Sequence, residues 1–365
     1  MPETTLLIGT RKGAVVARRP RIGSDWEVGP LEMPMSEVYG TGIDTRGDRP
    51  RLFAAATSPH WGPSIYHSDD LGRTWEEPDS APVAFPKETG ASLVRVWQIQ
   101  AASEAAPGVV YAGVEPHALF RSEDGGLTFS LVEGLYNHPH RPEWAPGNGG
   151  ACLHTVVPHP EDRDRVLVAL SAGGVYRTAD GGRTWEAANS GIQAYWLPED
   201  QRFPEFGQCV HKVASHPSQP NRLYAQNHFG VYRSDNYGSS WAPIEDGLPA
   251  NFGFPMVVHP HEPETIYVFP LKADSHRFPA TGRCELYRSR DGGASWSALN
   301  RGLPEGPYQA AVLRDALCTD GGDPAGIYFG TRAGEVYASA DAGESFEQVA
   351  AHLPDVLSVR AVQLG

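Results

Sequence analysis

The sequence predicts an all-β chain folded as a seven-bladed β-propeller of four-stranded blades, and three observations carry that prediction. An eight-residue pattern, Ser/Thr-x-Asp-x-Gly-x-Ser/Thr-Trp/Phe, occurs six times, beginning at Ser68, Ser122, Thr178, Ser234, Ser289 and Ser339. The steps between copies are 54, 56, 56, 55 and 50 residues, and a near-constant period of that length marks a blade or a solenoid turn. The 365 residues divided by seven give about 52, which matches the period. Short alternating runs such as Val175-Tyr176-Arg177 and Val231-Tyr232-Arg233 enter the octapeptides and read as strands.

Each octapeptide sits where two antiparallel strands reverse. Its acidic residue (Asp70, Asp124, Asp180, Asp291, Asp341, with Asn236 in the fifth blade) can accept the N–H groups of its own turn. The glycine that follows permits positive φ, and the closing aromatic is large enough to pack between sheets. All six are therefore expected to be structural.

In chain order, the first blade is split between residues 4–28 and 356–365, so that the C-terminal strand closes the ring beside the N-terminal one and removes the open sheet edges. Blades two to seven are expected over 36–77, 93–133, 151–188, 208–245, 253–299 and 307–349, together one propeller domain over 1–365. Their inner strands are expected at 38–44, 96–102, 153–159, 210–216, 255–259 and 309–313. Three of these end in His-Pro (His159, His216, His259), which reads as turn chemistry.

The octapeptides resemble the Asp-box, or BNR, repeat of sialidases, xyloglucanases, sortilin-type receptors and photosystem assembly propellers. The stretches 223–228 and 356–360 also resemble bacterial proteins labelled exo-α-sialidase or sialidase-like glycosyl hydrolase. That resemblance covers nearly the whole chain. It implies boxes on the rim away from the active site, and a glycosidase-like hydrolase. The Arg-Ile-Pro signature of true sialidases is absent.

Lysine plus arginine number 30 and aspartate plus glutamate 44, for a net charge of −14. Such a body repels phosphate backbones and anionic headgroups, so neither nucleic acid nor membrane is an expected partner; a small-molecule or carbohydrate ligand is. No apolar run approaches the ~20 residues that span a bilayer. The first residues lack the basic-then-apolar order of a signal peptide, so a cytoplasmic location is expected. Cys152, Cys209, Cys284 and Cys318 show no Cys-x-x-Cys spacing.

Three long connections, 136–150, 191–208 and 271–282, are expected to crowd the face opposite the boxes, where loops on a rigid scaffold carry function. Aligning the inner strands gives a ring of equivalent positions: Tyr39, Trp97, His154, His211, Phe254, Tyr308 and Arg360. Three chemistries fit this collection. A glycoside hydrolase needs two carboxylates roughly 5–9 Å apart, for which Glu115, Glu205 and Asp274 are the candidates, with Trp61, Trp97 and Trp196 to stack on sugar faces. A histidine-centred enzyme would use His117, His154, His211 and His228, with a divalent metal as an open option. A binding platform would use a positive funnel of Arg11, Lys12, Lys212, Lys272, Arg277, Arg283, Arg332 and Arg360 to hold an anion.

The favoured assignment is an enzyme acting on a glycoside or a polar, anionic small molecule. His154 and His211 would move protons or ligate metal, and Glu115 or Glu205 would supply a carboxylate. Arg11, Tyr39, Trp61, Trp97, Trp196, Asn227, Lys272, Tyr308, Arg332 and Arg360 would bind substrate.

Overall fold

A computed structural model describes residues 3–273 and 276–364; Asp274, one of the candidate acids, lies outside them. Seven antiparallel sheets surround one axis, six of four strands and one of three. In the first sheet Val356–Leu364 is innermost, followed by Glu3–Thr10, Gly13–Arg19 and Glu27–Glu32. Glu3 pairs with Leu364 and Thr10 with Val356, so the two ends of the chain are zipped along eight residues and the ring has no open edge there. The second blade, Glu37–Asp44, Arg51–Ser58 and Gly62–Ser68, is the three-stranded one; a single bridge between His67 and Glu76 stands where its fourth strand would be.

The octapeptides form the strand-three-to-four turns. In the sixth blade Ser289 Oγ donates to Asp291 Oδ1 (2.7 Å) and accepts from Gly293 N–H (2.8 Å). Ser295 N–H and Oγ–H then donate to the two oxygens of Asp291 at 2.9 and 2.6 Å. Gly293 has φ 96°, which a side chain would strain. Where the fifth blade has Asn236, the last bond is reversed and Asn236 Nδ2 donates to Ser240 Oγ. Two of the closing tryptophans tie blade to blade: Trp241 Nε1 donates to Ala188 O (2.8 Å) and Trp296 Nε1 to Ile244 O (2.9 Å), each in the preceding blade. The His-Pro imidazoles cap their own turns, His159 Nδ1 accepting from Glu161 N and His216 Nδ1 from Ser218 N.

Two inner strands differ from the sequence expectation. In the sixth blade the strand runs Phe252–Val258, starting three residues early. In the seventh it is Leu317–Thr319, and 309–313 is not a strand. The backbone of that segment bonds outside any ladder, with Tyr308 N–H donating to Gly282 O, Arg332 N–H to Ala311 O, and Ala316 N–H closing a turn on Leu313 O. An alternating pattern without ladder partners does not make a strand.

A cationic cavity at the propeller axis

The inner strands of blades two to six lose register with their neighbours at one equivalent place, between Val38 and Gly40, Val96 and Gln98, Leu153 and Thr155, Val210 and Lys212, and Gly253 and Met256. A bulge places one extra residue out of the ladder and re-aims its side chain. The residues so displaced are Tyr39, Trp97, His154, His211 and, with Pro255, Phe254. Four of them, Tyr39, Trp97, His211 and Phe254, line a cavity of about 440 Å³. Residues 146–149, Trp196 and Arg277, one group from each long connection, line the same cavity, as do Arg11, Cys209, His228, Arg314 and Arg332.

The charge of this lining is one-sided. Four guanidiniums border it, and among the described residues no carboxylate does. Arg11 is paired behind the wall with Glu37 (2.7 Å) and Asp355 (3.4 Å), and Arg332 with Asp355 (2.6 Å). Arg314 is different. It forms no ion pair among the described residues, its Nε is buried without a hydrogen-bond partner, and its guanidinium lies 5.7 Å from the ring centre of Trp97 and 5.3 Å from that of Phe254. Beneath it, Asp315 is buried between Lys212 Nζ (2.7 Å) and Arg360, whose Nη1 also donates to the Asp315 carbonyl (3.0 Å). Burial pushes the Asp315 carboxyl up, but the two cations outweigh it and hold it below the usual range.

One wall carries nitrogen and sulfur. His211 Nδ1–H donates to Gly253 O at 2.6 Å, across the junction of the fifth and sixth blades, which leaves the Nε2 lone pair 3.6 Å from Cys209 Sγ. Burial, reinforced by the charge of Arg314, pushes the His211 imidazole well below its ordinary pKa and keeps it neutral. Cys209 and His228 lie just beyond the paired strand ends Val210 and Asn227, and His228 N–H donates to Cys209 O at 2.9 Å. The ligand atoms of Cys209, His211 and His228 all fall within 4.8 Å of one another.

The structure thus gathers Arg11, Tyr39, Trp97, Trp196, His211, His228, Phe254, Arg277 and Arg332 of the residues singled out from sequence. Others are placed elsewhere. His154 is fully buried, its Nδ1 3.1 Å from Thr155 Oγ1, and does not reach the cavity. His117 contacts Ser171 O (2.9 Å) against Trp144, and burial pushes it down to about 4. The four-histidine set therefore does not converge; Cys209 joins His211 and His228 instead. Glu115 accepts the indole N–H of Trp97 (3.0 Å) and faces Arg95 (3.7 Å), standing behind the ring instead of in the cavity. Glu205 is exposed and, like Glu115, does not line the cavity, so these two do not form the expected carboxylate pair.

Trp61 stands 90% exposed at a hairpin tip, and Lys272 is exposed over Phe278. Asn227 is buried and donates to Gln193 O and Phe229 O. Tyr308 bonds Glu335 in a neighbouring depression, because the segment carrying it is not an inner strand. Arg360 and Lys212 are spent on Asp315. Arg314 was not among the residues singled out, and it carries no repeat signal: it precedes the seventh inner strand in a segment without counterpart in the other blades.

No family model matches this chain. It is 27% identical over 246 residues to the oligoxyloglucan-reducing end-specific xyloglucanase of Emericella nidulans, covering 58% of this chain and 28% of that protein. The chain spans less than a third of the length of each of the three curated xyloglucanase relatives it matches. Among solved structures it is similar to a YCF48 protein bound to a D1 peptide (TM-score 0.55, 14% identity, 86% of this chain and 82% of that one). An ancestral GH74 enzyme is also similar (TM-score 0.54, 15% identity, 86% and 39%). At these identities the structures share the fold, an all-β seven-bladed propeller.

Proposed function

We propose that the protein is a glycosidase-like hydrolase whose axial cavity takes a saccharide carrying a carboxylate or another anionic group. The observation that carries this reading is Arg314, a guanidinium held between the Trp97 and Phe254 rings at a wall bordered by three further arginines and, among the described residues, by no acid. Planar guanidinium groups bind carboxylates through paired charge-assisted hydrogen bonds, and aromatic faces such as Trp97 and Trp196 suit the apolar faces of a sugar ring. The xyloglucanase relatives support a carbohydrate ligand. Nothing in the cavity favours sialic acid over other sugar acids.

The test is calorimetric titration with matched neutral and uronic-acid oligosaccharides, followed by assay of the bound members for glycosidic cleavage. Acidic sugars should bind, and Arg314→Gln should weaken them by about 10–100-fold, the loss of one charge-assisted contact, while melting as the parent does. Equal binding of neutral sugars, or an Arg314→Gln variant with parental affinity, would overturn the reading. A second reading, a histidine-centred enzyme, draws on the Cys209, His211 and His228 cluster.

A further inference from the structure

Cys209 and His211 are two residues apart at the start of one inner strand, and His228 follows the strand that pairs with it. We propose that Cys209 Sγ, His211 Nε2 and an imidazole nitrogen of His228 form a three-ligand site for a divalent transition metal of the zinc class, with its remaining coordination position facing the axial cavity.

The distances carry the argument. Zinc–sulfur and zinc–nitrogen bonds of about 2.3 and 2.0 Å at a tetrahedral angle put the two donor atoms about 3.5 Å apart. Cys209 Sγ and His211 Nε2 are already 3.6 Å apart. The third donor lies within 4.8 Å of both. The set is also oriented in the manner of metal ligands: the Gly253 carbonyl accepts the hydrogen bond of His211 Nδ1–H and leaves Nε2 as the electron-pair donor. The His228 N–H bond to Cys209 O locks the two chain segments together, so two of the three ligands share a fixed backbone.

The donor types choose the metal. One thiolate and two imidazoles suit zinc, cobalt or copper and are poor partners for magnesium or calcium, which take oxygen. Three protein ligands with a fourth position open is the pattern of zinc sites that bind water or substrate. On binding, the Cys209 thiol gives its proton to solvent, and the thiolate offsets half of the metal charge. An anion in the open position would complete that balance, where Arg314 borders the same cavity.

A competing use of the same atoms is a cysteine nucleophile with His211 as its base. That pair leaves the third donor, within 4.8 Å of both, without a role, whereas metal ligation uses all three.

The proposal does not depend on the ligand being a sugar acid, and its test uses no sugar. The full chain, stripped with chelator, is titrated with cobalt(II) and with zinc(II). One metal ion per chain should bind, and the cobalt form should show tetrahedral d–d bands and a thiolate-to-cobalt charge-transfer band. Cys209→Ser should abolish the charge-transfer band, and both it and His228→Ala should weaken cobalt by about 100-fold or more, with apo-protein melting unchanged. Substoichiometric metal in the parent overturns the proposal. So does a cobalt spectrum without the thiolate band, or parental affinity in Cys209→Ser. Loss of metal binding would leave the saccharide reading standing, since that one fails through Arg314.

Discussion

Arg177 reaches out of the fourth blade and donates from Nη1 to the carbonyl oxygen of Tyr237, 2.6 Å away in the turn of the fifth. Tyr237 is the fourth residue of its octapeptide, and the same carbonyl is used at other junctions. Arg51 donates to Gly125 O, Arg233 to Gly292 O, Arg288 to Ala342 O and Arg18 to Leu71 O. The octapeptide is therefore both a turn and a socket: its aspartate orders the turn, and the ordered turn presents a carbonyl to the neighbouring blade's arginine.

Arg177→Met should remove this bridge and the 2.9 Å contact to Ser239 Oγ while keeping the stem. A hydrogen bond from a charged donor is worth about 1.5–3 kcal/mol, so unfolding in urea should shift by about that amount. The cavity, on the opposite face, should bind its ligand unchanged. A stability change below about 0.5 kcal/mol would mean that the socket is solvated instead of bridged.

Acid should loosen the same turns. Hydrogen bonds from the Ser295 and Ser289 hydroxyls and from Ser295 N–H hold Asp291 down at about 2, against about 3.9 for an unstructured aspartate. A carboxyl depressed in the folded state contributes stability that is present above the unfolded value and is lost as pH falls through the folded one. The melting temperature should therefore hold above about pH 5 and fall between about pH 4 and 2. Asp291→Asn copies the uncharged Asn236 turn and should lessen that acid slope; an unchanged slope assigns the acid sensitivity to other groups.

The fold was legible because the turn network is local. Ser289, Asp291, Gly293 and Ser295 bond one another within a few residues, so the chemistry that makes the turn is written in one stretch and repeats with the blade. The bulged ring at Tyr39, Trp97, His211 and Phe254 was legible for the same reason, since equivalent positions recur at the blade period. Position alone did not say which residues would converge: His154 occupies the same bulge and is sealed in. Arg314 was hidden because the seventh blade departs from the repeat, with 307–316 bonded to Gly282 and Arg332 instead of forming a strand. Glu115 and Glu205 were assigned by residue type, whereas their roles depend on Trp97 and on exposure, which no spacing records.

Asp315 should prove costly to neutralise. It is buried, bonded to Lys212 of the fifth blade and to Arg360 of the closing strand, so it joins the two sides of the ring at the axis. Asp315→Asn leaves two cations facing each other without a counter-charge. Breaking a buried pair in this way costs about 3–5 kcal/mol. Adding Lys212→Met should recover part of the loss, because it removes one stranded charge. Denaturant unfolding of the single and double variants measures both effects, and a double variant no more stable than the single one would show that Arg360 alone carries the penalty.

Glu115 separates positioning from chemistry. Its carboxylate accepts the Trp97 N–H at 3.0 Å, and residue Gly150 packs so closely over it that an added Cβ would lie 2.4 Å from Oε1. Glu115 therefore fixes the tilt of a ring that lines the cavity and supports the loop that borders it. Glu115→Gln retains an oxygen acceptor for the indole and should keep ligand affinity within about threefold, whereas Glu115→Ala frees the ring and should weaken binding by about tenfold, one lost hydrogen bond. Any catalytic constant should follow the same order, with the effect concentrated in KM. Were Glu115 itself a general acid or nucleophile, Gln would instead abolish kcat and leave binding intact. Trp97 fluorescence adds a readout independent of turnover: it should shift in Glu115→Ala and stay parental in Glu115→Gln.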